Sequence, residues 1–259
     1  MPESCENNMT DPSTENDSAK AKAAPSGRLC VGIFEGSPLS LVTDRTSGER
    51  RGLGYDLGAE FARRLGVPVD YVAYQRIAEV IAEMKHGRVD FALSNATPLR
   101  ARDVDFSQTL ISLELGYLVA ARSGFVSADA LDAPGMRIGV TKGSTSERTL
   151  PAKFAHARVV GAENARTAIA MLESGALDAY ATNKPTLYEM SDAMEGARIL
   201  PGNWGLEHIA IAIPKGRPLA MAALRRFVAH VQESGLLEQL KRRAGLRGVV
   251  TVKPVSPLG

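Results

Sequence analysis

The strongest constraint on the fold of this chain is a pattern of helix, glycine stop, strand and polar tip that occurs twice. In the first copy, apolar residues at helical spacing begin at Ile77, and a glycine and a short apolar run lead to Asn95. In the second copy the same features run from Ala165 to Asn183, each displaced by 88 residues. An internal repeat of this kind predicts two copies of one structural unit.

A second repeated segment opens each half of the chain. Residues 30–37 and 137–144 are both apolar runs that end in a Gly-Ser turn, and they lie 107 residues apart. Strands that alternate with helices are typical of parallel sheets with helices on their faces. The two repeats together predict an α/β fold with two lobes, and divergent repeats within one larger sheet remain the alternative.

The repeats also predict how the chain divides into domains. The polar N-terminal residues lack apolar periodicity and predict disorder, whereas the apolar stripe around Gly235 predicts a last helix that packs on the first lobe. The predicted segments are a disordered tail (1–27), the first part of lobe one (28–118), a hinge (119–122), lobe two (123–209), a second hinge (210–214) and the return to lobe one (215–259).

Charge and composition exclude several kinds of function. The net charge of +2 is spread over 259 residues without runs of like charge, so we expect no nucleic-acid partner. No stretch reaches the roughly 18 to 20 apolar residues that a membrane-spanning helix needs. Cys5 lies in a polar tail and Cys30 in an apolar run, so we expect no disulfide and a buried Cys30. No motif predicts a metal or a cofactor.

The candidate site residues come from segments that follow predicted strands. In open α/β sheets, ligands bind beyond the carboxyl ends of the strands. The polar segments at such positions are residues 35–40, 74–75, 95–100, 143–146 and 182–184.

Two of these segments carry donors suited to an anion. Ser144 and Thr145 stand at the start of a predicted helix, where free N–H groups attract anions, although helix capping alone is the commoner role. The planar guanidinium of Arg100 matches a carboxylate in a bidentate manner. Residue chemistry alone does not separate Arg100 from Arg102, which stands two positions further on.

Four short segments of the chain form a recognisable set. Residues 54–57 read Gly-Tyr-Asp-Leu, residues 86–90 read His-Gly-Arg-Val-Asp, and residues 143–145 read Gly-Ser-Thr. The most specific segment, residues 97–107, reads Thr-Pro-Leu-Arg-Ala-Arg-Asp-Val-Asp-Phe-Ser. The set resembles the family 3 extracellular solute-binding proteins of ABC importers, and the likeness extends over residues 29–245.

The resemblance implies both a fold and a function. The fold is the periplasmic-binding-protein type II fold, with two mixed, mostly parallel sheets flanked by helices and joined by two hinge strands. The function is that of a solute-binding protein which closes around a small carboxylate-bearing ligand, an amino acid or a related organic acid, and is not an enzyme. The implied partner is the membrane permease, and the implied state is a monomer.

The implied location is the periplasm, and it rests on the family resemblance alone. Residues 1–26, as given, lack the basic start and the apolar segment of a secretory signal.

The resemblance also implies roles for individual residues. Arg100 matches the arginine that grips the ligand's carboxylate, supported by Thr97, Ser144 and Thr145, whereas Arg102 matches a position outside the cleft. We predict no catalytic residue and no metal ligand. The predicted ligand-binding set is Arg100, Thr97, Asn95, Ser144, Thr145, Asn183, Ser37, Glu35, Tyr74 and Gln75.

The chain departs from the family at two positions that govern specificity. Asn183 stands where an acid often holds the ligand's ammonium group, and Ser37 begins a segment where aromatic residues often stack on the ligand. Lys184 would favour a second anionic group on the ligand. These departures predict a ligand other than an ordinary amino acid. Glu35 or Glu207 could replace the missing acid, but we expect Glu207 to be an exposed acid in a turn.

Two other functions remain open at this point. Cyclohexadienyl or arogenate dehydratases use a related fold, and Glu35, Lys184 and His208 are the candidates for a catalytic acid. None has a partner at an informative spacing, and His208 is better explained as a structural residue. A ligand-sensing receptor module is the third possibility.

Overall fold

The computed structural model describes residues 20–44 and 46–250. Residues 1–27 are the predicted disordered tail, and residues 1–19 of it lie outside the described residues. Of its remainder, residues 20–23 are helical, and Ala23 and Ala24 are buried in the main core. The ordered chain therefore begins before residue 28. The last residues of the predicted return segment, 251–259, are also outside the described residues.

Strands and helices alternate along most of the chain. The strands are β1 (Leu29–Phe34), β2 (Val42–Thr43), β3 (Arg50–Arg51), β4 (Val69–Tyr74), β5 (Ala92–Asn95), β6 (Val104–Phe106), β7 (Ile111–Val119), β8 (Arg137–Thr141), β9 (Arg158–Ala162), β10 (Ala179–Asn183), β11 (Arg198–Ile199), β12 (Gly205–Pro214) and β13 (Val249–Val250). The helices are α1 (Leu53–Leu65), α2 (Ile77–Lys85), α3 (Thr145–Thr149), α4 (Ala165–Ser174), α5 (Lys184–Asp192), α6 (Pro218–Glu233) and α7 (Leu236–Arg243). Short 3-10 turns occupy Arg100–Arg102, Ala128–Leu131 and Leu150–Lys153.

The repeated helix and strand predicted from the sequence are present in both halves. In the first half, α2 leads into β5, and in the second half α4 leads into β10. α2 buries Val80, Ile81 and Met84, which are the residues at helical spacing. α4 ends at Gly175, whose φ of 79° is the left-handed conformation that glycine adopts without strain.

Two long antiparallel strands, β7 and β12, connect the two halves. β12 pairs with β5 along one edge and with β6 and β7 along the other, and the far edge of β7 pairs with β10, which is followed by β8 and β9. β1 pairs in parallel with β4 and reaches the start of β5 through a bridge between Val31 and Phe91. The predicted α/β class is confirmed. The sheets differ from the prediction, because β7 and β12 hydrogen-bond to each other and so join strands of both halves in one nine-stranded sheet, whereas β1 and β4 form a separate pair.

The buried apolar side chains form separate clusters in the two halves. Two clusters take residues from 23–113 and 209–244, and two others take residues from 117–200. We keep the division into two lobes as a proposal that these clusters support. Along the chain, the buried residues pass from the clusters of the first half to those of the second between residues 113 and 117, and they pass back between residues 200 and 209. Both transitions come before the predicted hinges, 119–122 and 210–214.

Candidate functional site

A cavity of about 100 Å³ lies where the carboxyl ends of β1, β5 and β10 meet the starts of α3 and α5. Its wall includes residues of both proposed lobes. Eight of the ten predicted ligand-binding residues contribute to it: Glu35, Ser37, Gln75, Asn95, Arg100, Ser144, Thr145 and Asn183. Thr97 and Tyr74 do not line it, and Tyr74 instead lines a neighbouring surface cleft together with Glu35 and Gln75.

Arg100 is buried against the cavity, whereas Arg102 is exposed to solvent. Only 7% of Arg100 is accessible, and its Nη1 donates hydrogen bonds to Ser94 Oγ at 3.0 Å and to Asn95 O at 3.3 Å. Burial lowers the pKa of Arg100 to about 10, with Glu207 opposing the shift and Arg148 adding to it. The guanidinium therefore still carries its charge at neutral pH.

The polar residues around Arg100 hold the local backbone. Thr97 Oγ1 accepts a hydrogen bond from the Arg100 N–H at 3.3 Å, which stabilises the 3-10 turn that carries the guanidinium. Ser144 caps α3, because its Oγ accepts from the Glu147 N–H at 3.1 Å while the Glu147 carboxylate accepts from the Gly143 N–H at 2.7 Å. The commoner role of Ser144 as a cap is thus present, in a position that also faces the cavity.

Asn95 and Asn183 come from different lobes and meet at one carboxylate, that of Glu207. Asn95 Nδ2 donates to Glu207 Oε1 at 3.4 Å, and Asn183 Nδ2 donates to Glu207 Oε2 at 3.2 Å. Asn95 Nδ2 also lies 3.4 Å from Thr145 Oγ1. The predicted pair of strand-end asparagines is therefore brought together, but around an acid on β12.

The expectation that Glu207 is an exposed acid in a turn is wrong. Glu207 belongs to β12, is 9% accessible and lines the cavity. Burial raises the pKa of its carboxyl, and the Arg100 charge and the two asparagine hydrogen bonds oppose this shift. A signal was present in the sequence, because Glu207 falls in register with Ile209, Ile211 and Ile213 on the inward face of an alternating strand.

Several contacts cross the cavity between the proposed lobes. Ser37 Oγ lies 3.2 Å from Thr186 Oγ1, and Asn164 Nδ2 donates to Gln75 Oε1 at 3.3 Å. Arg76 lines the cavity and forms ion pairs with Glu79 on its own helix and with Glu163 across the cleft. Thr186 and Arg76 were not among the predicted residues, since neither stands directly after a strand.

The expectations for Lys184 and Cys30 change with the structure, whereas the structural role expected of His208 does not. Lys184 does not line the cavity, because its Nζ pairs with Glu114 Oε2 at 2.5 Å, so it supplies no free charge for a second anionic group. His208 is half-buried and its Nδ1 lies 3.0 Å from Ser112 Oγ, outside the cavity lining. Cys30 was expected to be fully buried and is only half-buried.

The part of the chain that the structure describes contains neither a metal-binding cluster nor a membrane-spanning helix. Within residues 20–44 and 46–250, no group of three or more His, Cys, Asp or Glu side chains is placed to hold a metal ion. No helix in the same part of the chain has the length and apolar character needed to cross a bilayer.

The sequence of this chain is similar to that of known bacterial binding proteins. The family described as "Bacterial extracellular solute-binding proteins, family 3" matches residues 29–246. The ABC transporter glutamine-binding protein GlnH of Bacillus subtilis (strain 168) is 23% identical over 220 residues, which are 83% of this chain and 80% of that protein.

Solved structures show the same fold. The ancestral amino acid-binding protein AncCDT-1, a precursor of cyclohexadienyl dehydratase, is 25% identical with a TM-score of 0.74, covering 86% of this chain and 97% of its own. A mutant of ArgBP from T. maritima is 22% identical with a TM-score of 0.77, covering 88% and 99%, and at this identity the likeness concerns the fold alone. The expected periplasmic-binding-protein type II fold is confirmed.

Proposed function

The chain belongs to the bacterial extracellular solute-binding proteins, family 3, and from this membership we propose that it is the component of an ABC importer that closes around a small carboxylate-bearing solute. Membership sets the general role, which is solute binding for transport. The solute itself is proposed from the site. Its carboxylate binds Arg100, with Ser144, Thr145 and the other predicted residues that line the cavity around it.

The buried Arg100 guanidinium is the observation that carries this proposal. Its hydrogen bonds to described residues use Nη1 alone, and no described carboxylate lies within the 4.0 Å that defines an ion pair with it. A buried charge without a partner is unfavourable, and a bidentate carboxylate satisfies both the charge and the remaining donors. Glu207, the acid that faces the same cavity, is held by asparagines instead.

Contacts across the cleft support closure around the solute. Arg51 on β3 donates from Nη2 to both carboxylate oxygens of Glu189 on α5 at 2.9 Å. Arg76 Nη1 pairs with Glu163 Oε2 at 2.5 Å on another side of the cavity. Polar contacts on separate sides of a cavity are what a two-lobed binding protein uses to hold its closed state.

A dehydratase-like enzyme is the second candidate, and Glu207 is the observation that favours it. An acid-catalysed elimination needs a buried carboxyl group in the cavity, and Glu207 is one. Both of its oxygens, however, accept hydrogen bonds from amide groups, and such bonds stabilise the ionised form over the acid. We therefore propose binding without chemical conversion.

The partner and the location follow from the same membership. We propose that the closed, loaded protein docks on the membrane permease of its importer, that it does so as a monomer, and that it works in the periplasm or on the outer face of the membrane. The extracellular character of the family and the similarity to a glutamine-binding protein of an ABC transporter support the proposed partner and location.

A thermal-shift and calorimetric screen tests the proposed function. The panel contains the twenty L-amino acids, dicarboxylates, keto acids and prephenate. At about a hundred times its dissociation constant, a ligand stabilises the folded state by roughly 2.7 kcal/mol, which is several degrees in Tm.

Arg102→Ala is the matched control for Arg100→Ala, because both arginines lie in the same 3-10 turn and only Arg100 is buried. We expect a carboxylate that stabilises the parent and Arg102→Ala and has no effect on Arg100→Ala. Equal binding by Arg100→Ala contradicts the proposed anchor. If chromatography shows that the protein consumes the compound, binding without turnover is contradicted.

A further inference from the structure

The cavity holds two buried, opposite charges that do not pair with each other. Arg100 is 7% accessible and Glu207 is 9% accessible, and both line the same cavity. No ion pair within 4.0 Å joins them or joins either of them to another described residue. Isolated buried charges are costly, and folded proteins normally pair them. A site with one unpaired positive and one unpaired negative group is complementary to a molecule that carries both charges.

The hydrogen bonds of Asn95 and Asn183 bear on the protonation state of the Glu207 carboxylate. Asn95 Oδ1 accepts from the His208 backbone N–H at 3.1 Å, and Asn183 Oδ1 accepts from the Thr186 backbone N–H at 3.2 Å. Because a backbone N–H can only donate, both amide oxygens are committed, and both Nδ2 groups must face Glu207. Each Glu207 oxygen thus accepts an N–H, an arrangement that favours the ionised carboxylate and opposes the effect of burial, which raises the pKa of Glu207.

The other charged groups at the cavity are already neutralised or exposed. Arg76 pairs with Glu79 and Glu163. Glu35 is exposed, and its Oε1 accepts a hydrogen bond from Thr43 Oγ1 at 2.8 Å. Glu207 is therefore the acid best placed to receive a positive group in the interior of the cavity.

We propose that the Glu207 carboxylate, on β12, binds the cationic group of the solute opposite the Arg100 guanidinium, and so replaces the acid that is absent at position 183. The inference rests on the proposed function and adds to it the charge of the ligand. The counter-charge that Asn183 cannot supply comes from β12, and Asn183 has the role of holding and ionising it. The departure at position 183, which by itself predicts a ligand other than an amino acid, is compensated by Glu207.

Binding of amino acids is compared with binding of their deaminated analogues to test this inference. L-Glutamine is paired with 4-carbamoylbutanoate and L-leucine with 4-methylpentanoate, and any other amino acid from the screen whose side chain is not cationic is paired with its own deaminated acid. Calorimetry is carried out with the parent, Glu207→Gln and Glu207→Asp. Glu114→Gln is the control, because Glu114 pairs with Lys184 away from the cavity.

We expect the parent to bind the amino acid about 10- to 100-fold more tightly than the deaminated acid, which is the range for a charge-assisted hydrogen bond. Glu207→Gln should lose this preference, with unchanged affinity for the deaminated acid, whereas Glu114→Gln should keep it. Glu207→Asp retains the charge and should retain part of the preference. If Glu207→Gln does not fold, the preference of the parent and of Glu207→Asp decides the question.

The inference is overturned if the parent binds the deaminated acid as well as the amino acid, or if Glu207→Gln keeps the full preference. A loss of preference in Glu35→Gln instead would assign the cation to the exposed acid and would also overturn it. Failure of the proposed function has a different signature, because Arg100→Ala would then bind every carboxylate as the parent does. If no carboxylate binds to the parent at all, both proposals fall.

Discussion

Gly143 and Ala78 face each other across the cleft so closely that a Cβ on Gly143 would lie 2.5 Å from the Cβ of Ala78. Real Cβ atoms do not approach to this distance, so the lobes could close only with a shift of α2 or of the turn. Gly143 also has a φ of 72°, in the left-handed region that favours glycine. The absence of a side chain at position 143 therefore allows the turn to lie against Ala78, which the proposed closure requires, and also suits the local turn.

Replacement of Gly143 by alanine should weaken ligand binding by about 5- to 150-fold, an estimate from the overpacking cost of about 1 to 3 kcal/mol. Gly135→Ala is the matched control, since Gly135 lies in the same lobe with a φ of 88° and has open space around it. Both variants should lose a similar amount of stability, about 1 kcal/mol, in chemical unfolding without ligand. Affinities that fall equally in the two variants would show that strain, and not closure, is responsible.

The ion pair between Arg51 and Glu189 should contribute to affinity through closure. Both side chains are partly shielded, and Arg51 Nη1 also donates to Ala244 O at 2.6 Å. Glu189→Gln is expected to weaken ligand binding by a few-fold at low salt and by less at high salt, because salt screens the pair.

The control for this pair is Arg28→Ala, which removes the exposed pair with Asp70 on neighbouring strands of the first lobe. That change should leave ligand affinity as it is in the parent. Calorimetry at two ionic strengths measures both effects, and an Arg28→Ala variant that loses as much affinity as Glu189→Gln would argue against a role of the pair in closure.

Glu207 predicts a pH dependence with opposite signs for stability and for binding. Burial raises the pKa of Glu207 above that of an unfolded glutamate, which is about 4.3. In the ligand-free protein, the stability contributed by this group is present below pH 4.3 and is lost as the pH rises through the folded-state pKa. A cationic group binds the ionised form, so affinity should instead fall as the pH drops through that pKa.

Other charged groups near the cavity are Arg100, Arg76 and the exposed Glu35, and His208 is the neighbour of Glu207 on β12. Titration calorimetry between pH 4 and pH 8 should show the loss of affinity beginning above about pH 4.3 in the parent. Glu207→Gln should remove this dependence. A profile that Glu207→Gln leaves intact would assign it to another of these groups.

Asp56 is predicted to destabilise the folded state at neutral pH. Its side chain is buried in α1, and its Oδ2 has no hydrogen-bond partner among the described residues. Burial raises the pKa of Asp56 against a weaker opposing effect of Arg243. The stability that this carboxyl contributes is therefore present below the unfolded pKa of about 3.9 and is lost as the pH rises through the folded-state pKa.

Asp56→Asn should raise the free energy of unfolding at pH 7 by about 1 kcal/mol, with the difference vanishing below about pH 3.9. Asp90→Asn is the contrasting variant, because buried Asp90 accepts from Arg217 Nη1 at 2.7 Å and from the Cys30 N–H at 3.2 Å. The Asp90→Asn variant should have a free energy of unfolding about 2 kcal/mol lower than that of the parent. Urea unfolding of both variants measures the two effects, and a loss of stability in Asp56→Asn would show that the charge is compensated.

The sequence determined the elements of the fold and the position of Arg100, the residue proposed to bind the carboxylate of the solute. The helix that begins at Ile77 and the strand that ends at Asn95 are visible as periodic apolar patterns, because helices and strands are local structures. Arg100 stands in a segment whose order of residues is specific to the family. Such features depend on neighbours in the chain, so one sequence contains them.

The tertiary structure alone decided how the charges of the cavity are arranged. Glu207 lies 112 residues from Asn95 and 24 from Asn183, and no local pattern states that β12 brings these three side chains together. The burial of an acid depends on which strands and loops surround it. That is also why Glu207 was misassigned as exposed and why Lys184 was expected to face the ligand, when its partner Glu114 lies 70 residues away. Pairing between strands that are distant in the sequence decides which charged side chains are buried and which partners they meet. This pairing exists only in the folded chain.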